Sequence, residues 1–227
     1  MRDYLLLLAT FVILLLSCSR SRIEVTKESV FTMEKHIKID IERSLFFSEN
    51  AELNQSLGIL NAKISEKVDS ILVSFNADFE RFSKDLNSMP EALENTNFEL
   101  MIRDSIFMLN DKFISIRFKI YSYEGGAHGM TNYRALNYDL DKQQFLEPEM
   151  ILDYQKAAEI NSLLAEYFSN DEGCFTELPT LDNGFEAFNT SDKAVVFTYP
   201  AYALGAYACG HAEVVIPKKE LSEILLK

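Results

Sequence analysis

The sequence predicts an α+β domain, a mainly antiparallel sheet with one long N-terminal helix and one or two shorter helices packed on it. Three observations lead there. Runs with a two-residue apolar period recur along the chain and are joined by short polar turns. One run with apolar steps of three and four is long enough for a dominant helix. Helical runs are otherwise few, whereas a doubly wound parallel sheet needs a helix after nearly every strand.

Taken in order, Ile37, Ile39 and Ile41 alternate with Lys38, Asp40 and Glu42, as a half-buried strand requires. Leu53, Leu57, Leu60, Ile64, Val68, Ile71, Phe75, Phe79, Phe82 and Leu86 then share one face of a helix from about 51 to 87, with Pro90 just beyond. Phe98, Leu100 and Ile102 mark the next strand. Ile114, Ile116, Phe118 and Ile120 mark its hairpin partner across an Asn110-Asp111 turn. Leu136, Tyr138 and Leu140 give another strand, and Ala157, Ile160, Leu164 and Tyr167 a second helix. Residues 185–189 and 194–199 are strands around a Thr190-Ser191-Asp192 turn. Ala212, Val214 and Ile216 form the last strand, and Pro217 opens a short final helix through Leu221, Ile224 and Leu225.

The N-terminus carries an export signal. Arg2 precedes an apolar run from Leu5 to Leu16, broken only by Thr10. A run this short suits a signal peptide; a membrane-spanning helix needs about 20 residues. Leu15-Leu16-Ser17-Cys18 resembles the bacterial lipobox, in which the Cys is acylated and becomes the new N-terminus. An ordinary signal peptide that happens to end in Cys is the alternative. The expected organisation is a lipoprotein signal peptide at 1–17, a lipidated Cys18 with a tether at 18–29, and one domain at 30–227. It would sit in the bacterial cell envelope, held to a membrane by its lipid, outside the cytoplasm.

The chain has 227 residues and a formal net charge of −13. The 1–17 piece carries one Arg and one Asp, so its removal leaves that charge unchanged. Such a balance argues against nucleic acid, whose phosphates need clustered Lys and Arg. It would steer a basic partner, or simply keep an acidic surface solvated. With Cys18 acylated, Cys174 and Cys209 remain. They can form one disulfide in an oxidising compartment, or stay as two separate buried thiols.

Two segments do not look like plain scaffold. Tyr123-Glu124-Gly125-Gly126-Ala127-His128-Gly129 holds three glycines in five residues, which implies positive φ or a close backbone approach. Residues 199–211 space Tyr199, Tyr202 and Tyr207 with small residues, a Pro and two Gly. These segments resemble the RsiV-type extracytoplasmic domain family, shared by a lysozyme-sensing anti-sigma factor and some peptidoglycan deacetylases. The Gly-Gly-Ala-His turn, Asp139-Leu140, the stretch Tyr199 to Gly205 and the stretch Val214 to Pro217 carry the resemblance. Pro200 directly after Tyr199 is a local departure. The helix from about 51 also resembles the family's first helix, so the likeness spans roughly residues 30 to 227.

The resemblance implies a non-catalytic envelope lipoprotein that binds a protein ligand, lysozyme-like, or a peptidoglycan-derived one. The expected surface combines Tyr123, Glu124, Gly125, Gly126 and His128 with Tyr199, Tyr202 and Tyr207. A cell-wall hydrolase or deacetylase-type enzyme is the competing class. No catalytic set, cofactor or metal site is expected, because no nucleophile, zinc-protease or phosphate-loop motif occurs. His128, Cys209 and His211 could in principle make a three-ligand zinc site, and Glu124 with Asp139 a carboxylate pair. A turn histidine and unpaired surface acids are the plainer alternatives.

Overall fold

The computed structural model describes residues 22–34, 36–85 and 97–226. Cys18, the apolar leader, Leu86 and Pro90 lie outside the described residues. The architecture is sheet-rich α+β, with two α-helices among the described residues. Nine strands among those residues form a six-stranded sheet, β1-β2-β3-β4-β5-β6, and a three-stranded sheet, β7-β8-β9.

In the first sheet β1 (Ile23–Glu34) and β2 (Ile37–Ser48) form a long hairpin. Helix α1 (Ala51–Asp85) follows, so it comes after two strands and does not open the domain. Asn50 starts it: its side-chain oxygen accepts the Leu53 N–H at 2.9 Å, which satisfies an amide the first turn leaves unpaired. The helix returns the chain to the start of β2, and β3 (Phe98–Leu109) therefore runs parallel to β2. This is the exception to an otherwise antiparallel pattern. β4 (Phe113–Glu124), β5 (Met130–Asp139) and the short β6 (Gln144–Phe145) continue as a meander.

α1 buries Leu57, Leu60, Ile64, Val68 and Phe75 against Ile39, Ile41, Phe98, Leu100, Ile102, Ile114, Ile116 and Phe118. Phe98 receives three α1 rings, Phe75, Phe79 and Phe82, at centroid distances of 6.0, 5.1 and 5.0 Å. Residues 23–29, expected as part of a tether, belong instead to β1, where Ile23 already pairs with Ser48. β1 is exposed along nearly its whole length, which is why it shows no apolar alternation.

Helix α2 (Ala157–Tyr167) packs Ile160 and Leu164 onto the second sheet, made of β7 (Ala187–Thr190), β8 (Ala194–Tyr199) and β9 (Ala212–Pro217). That sheet is separate from the first, where the sequence pattern predicts one continuous sheet. The expected final helix is a 3-10 turn at Lys218–Leu221. The two sheets meet through a polar seam. Ser115 Oγ donates to Asn137 Oδ1 at 2.8 Å, and Asn189 Nδ2 donates to the Ile116 carbonyl at 3.0 Å. Asn137 Nδ2 reaches the Phe188 carbonyl at 2.8 Å.

Candidate functional site

The seam brings the two suspicious segments together. Even positions of β4 from Ile114 to Ile120 point into the α1 core, so Tyr121 and Tyr123 emerge on the opposite face. The chain then turns at Gly125, whose φ of 78° is open to glycine at little cost. The Tyr123 hydroxyl donates to the Gly126 carbonyl at 3.0 Å. Gly129 answers the close-approach expectation: a Cβ there would meet the Tyr121 ring at 2.3 Å. Gly126 needs neither device, since a Cβ on it would meet nothing within 4 Å.

From the other sheet, the segment after β8 lays two tyrosines over this turn. The Tyr207 ring stacks on His128 with centroids 3.7 Å apart and planes 19° from parallel, and its hydroxyl donates to the Gly129 carbonyl at 2.6 Å. Tyr202 stands 5.5 Å from Tyr207 and is 56% exposed. His128 Nδ1 lies 3.1 Å from the Gly129 carbonyl, which can only accept, so in the neutral ring this nitrogen carries the proton. Nε2 is then left to accept from the Tyr202 hydroxyl, 3.4 Å away. Tyr202 holds a φ of 73°, a conformation side chains other than glycine rarely adopt and one that costs about 1–2 kcal/mol.

The segment is clamped from below. Cys174 and Cys209 are joined by a disulfide, and the amides of Thr176 and Glu177 both donate to the Leu204 carbonyl. The short 3-10 turn Tyr207–Cys209 therefore carries Tyr207 and a bridge sulfur together. The result is an open aromatic shelf, His128, Tyr207 and Tyr202, beside Tyr121 and Tyr123. Burial first, then Glu99 and the neighbouring tyrosines, raises the pKa of the Tyr121 phenol.

The remaining residues expected at the site divide. Glu124 is exposed at the rim of the turn. Tyr199 is not at the surface: it is wholly buried in the second core and donates to the Thr180 carbonyl at 2.8 Å. Burial pushes its phenol far above the ordinary range. Its strand alternation places it with Val195 and Phe197 in the core that α2 covers. The hypothetical zinc set does not form, because Cys209 is in the disulfide. Among the described residues no three His, Cys, Asp or Glu side chains converge on a metal position. The hypothetical carboxylate pair is separated by the register. Asp139 lies opposite Phe113 and Glu124 ends the same strand, which puts them about 35 Å apart. Tyr121 is not among the residues expected from the sequence, although its spacing of two from Tyr123 places both on one face of β4.

Two family models match the chain. The first, Deacetylase PdaC, covers residues 34–131, and the second, a protein of unknown function (DUF3298), covers 137–219. The division falls within β5, so the shelf draws His128 from one matched region and Tyr202 and Tyr207 from the other. A curated relative is the peptidoglycan-N-acetylmuramic acid deacetylase PdaC of Bacillus subtilis (strain 168). It is 27% identical over 175 residues, which cover 71% of this chain and 37% of that protein. Among solved structures, a DUF3298 member from Bacteroides fragilis NCTC 9343 shares the fold. The TM-score is 0.67 at 19% identity, over 92% of this chain and 95% of that one. A DUF3298 protein from Pseudomonas aeruginosa PAO1 aligns with a TM-score of 0.49 at 20% identity, over 91% and 94% of the two chains.

Proposed function

For a chain that carries the domain shared by PdaC-type deacetylases and DUF3298 proteins, we propose a non-catalytic binding role in the cell envelope. The ligand is a protein, lysozyme-like, or a fragment derived from peptidoglycan. The observation that carries the reading is the open shelf of His128, Tyr202 and Tyr207. It offers flat aromatic faces with polar tips to a partner. The strained backbone of Tyr202 is what a position held for contact, and not for packing, would show. The name of the Bacillus subtilis relative supports a link to peptidoglycan, although the shared stretch is only 37% of that protein. In this reading Cys18 is acylated and tethers the domain to a membrane.

The experiment is a calorimetric titration of the chain from Ser19 onward with a c-type lysozyme, at low and at physiological salt. Saturable binding that survives physiological salt, and that falls about tenfold or more in Tyr202→Ala, supports a specific shelf. Heat seen only at low salt means nonspecific attraction to a chain of net charge −13. Complete absence of binding removes lysozyme, and the same titration with soluble peptidoglycan fragments decides whether the shelf binds wall material at all. In cells, labelled palmitate should enter the wild-type chain and not Cys18→Ser.

A further inference from the structure

The lysines of this acidic chain are not evenly spread. At the end of the first sheet remote from the shelf, the β3–β4 turn, the β5–β6 turn and the C-terminal residues enclose a cavity of about 700 Å³. Small-molecule pockets occupy roughly 300–1,000 Å³. Lys112, Lys142 and Lys218 line it, with one carboxylate, Asp111. In a chain of 22 basic and 35 acidic residues this is a local reversal of sign. Among the described residues Lys112 and Lys218 form no ion pair, while Lys142 stands 3.4 Å from Asp139. Burial lowers the pKa of Lys218, and Asp192 only partly opposes it. An ammonium held partly out of water without a bonded counter-charge gains from an anion placed beside it.

The rest of the wall is apolar. Phe113, Leu146, Ile151 and Leu225 line the cavity, and Met150 and Leu226, also in its lining, are 42% and 49% exposed. We propose that the cavity binds an amphipathic anion, a phosphate or carboxylate head carrying an alkyl tail. Its head sits among Lys112, Lys142 and Lys218 and its tail along Phe113, Leu146, Ile151 and Leu225. A bare anion would leave the apolar wall wet, and a neutral chain would leave Lys112 and Lys218 without a counter-charge.

Topology indicates where such a ligand would be met. Ile23 pairs with Ser48 at the end of β2, and Asn50 and Asp111 line one small cavity. The chain thus enters the fold at the lysine end. On the anchoring reading above, this end faces the membrane and the shelf faces away. The amphiphile is then either an anionic lipid of that membrane or a free molecule of the same chemistry.

Both cores lie within residues 23–225, so the chain from Ser19 onward is the protein to test. Dodecyl phosphate below its micelle-forming concentration is titrated by calorimetry, against inorganic phosphate and dodecyl maltoside as head-only and tail-only probes. Saturable binding about tenfold or more tighter than either control is expected, with a loss of about tenfold or more in K112Q/K218Q. Thermal melting of that variant confirms that it is folded, and its response to lysozyme should match the wild type, which separates failure here from failure of the shelf. Co-sedimentation with phosphatidylglycerol vesicles assigns the ligand to the membrane. Binding of dodecyl phosphate without co-sedimentation assigns it to a free amphiphile. Equal affinity for dodecyl maltoside, no binding of dodecyl phosphate, or unchanged affinity in the folded variant overturns the proposal.

Discussion

The two faces of the six-stranded sheet are built on opposite physical terms. One face meets α1 chiefly through aliphatic and aromatic side chains, with Leu57, Leu60, Ile64 and Phe118 fully buried, while Ser56 and Asn61 of α1 add hydrogen bonds to the backbone of Leu140 and Phe46 at its margin. The other meets the second sheet through Ser115, Asn137 and Asn189, whose bonds have fixed lengths and directions. Apolar burial is strong and non-directional, so it holds the fold without dictating a single alignment. Buried amides and hydroxyls must be matched atom to atom, so they fix how the second sheet sits on the first. His128 belongs to the first sheet and Tyr202 and Tyr207 to the second. The α1 face therefore supplies stability and the seam sets the geometry of the shelf.

This division can be broken from either side. Ile64→Ala empties part of the α1 interface and should cost roughly 2–5 kcal/mol in urea unfolding. The molecules that remain folded should keep wild-type affinity for a shelf ligand. Asn189→Ala removes the donor to the Ile116 carbonyl and should cost less, about 1–3 kcal/mol. It should nevertheless weaken the shelf more, because it frees the alignment of the two sheets. If the Ile64 variant lost affinity while the Asn189 variant kept it, the assignment of the two faces would be reversed.

The same contrast explains what the sequence disclosed. The α1 face was legible down to single residues, because one-sided burial writes a period of 3.6 on Leu57, Leu60, Ile64 and Val68 and a period of two on Ile114, Ile116 and Phe118. The exposed β1 carried no such mark. The parallel β2–β3 pair was hidden as well, since pairing direction depends on where α1 delivers the chain. The split into two sheets was invisible, because Ser115, Asn137 and Asn189 are polar residues that read as surface. At the site, the turn at 123–129 and the tyrosines at 202 and 207 stood out through glycine content and spacing. Tyr199 adjoins them in sequence but shares the parity of Val195 and Phe197, which are buried in the second core.

A last, smaller effect sharpens the account of the seam at its solvent edge. Arg117 of β4 sits 2.7 Å from Glu213 of β9, donates to Thr198 Oγ1 at 2.7 Å, and lies over the rings of Phe107 and Tyr133. The His211 imidazole, 3.7 Å away, and then the Arg117 guanidinium hold the Glu213 carboxyl below its ordinary value of 4.5 against the opposing effect of burial. A carboxyl with a depressed folded pKa stabilises the fold above its unfolded pKa, and that contribution is lost as pH falls through the folded value. Glu213→Gln should therefore lower the urea midpoint slightly at pH 7, by less than the Asn189 change, since the carboxylate is partly open to solvent. The gap between wild type and variant should close as pH is taken further and further below the ordinary value of 4.5. Absence of a gap at pH 7 would mean that Arg117 is held by its ring and Thr198 contacts alone, and that the seam owes its alignment to the uncharged residues.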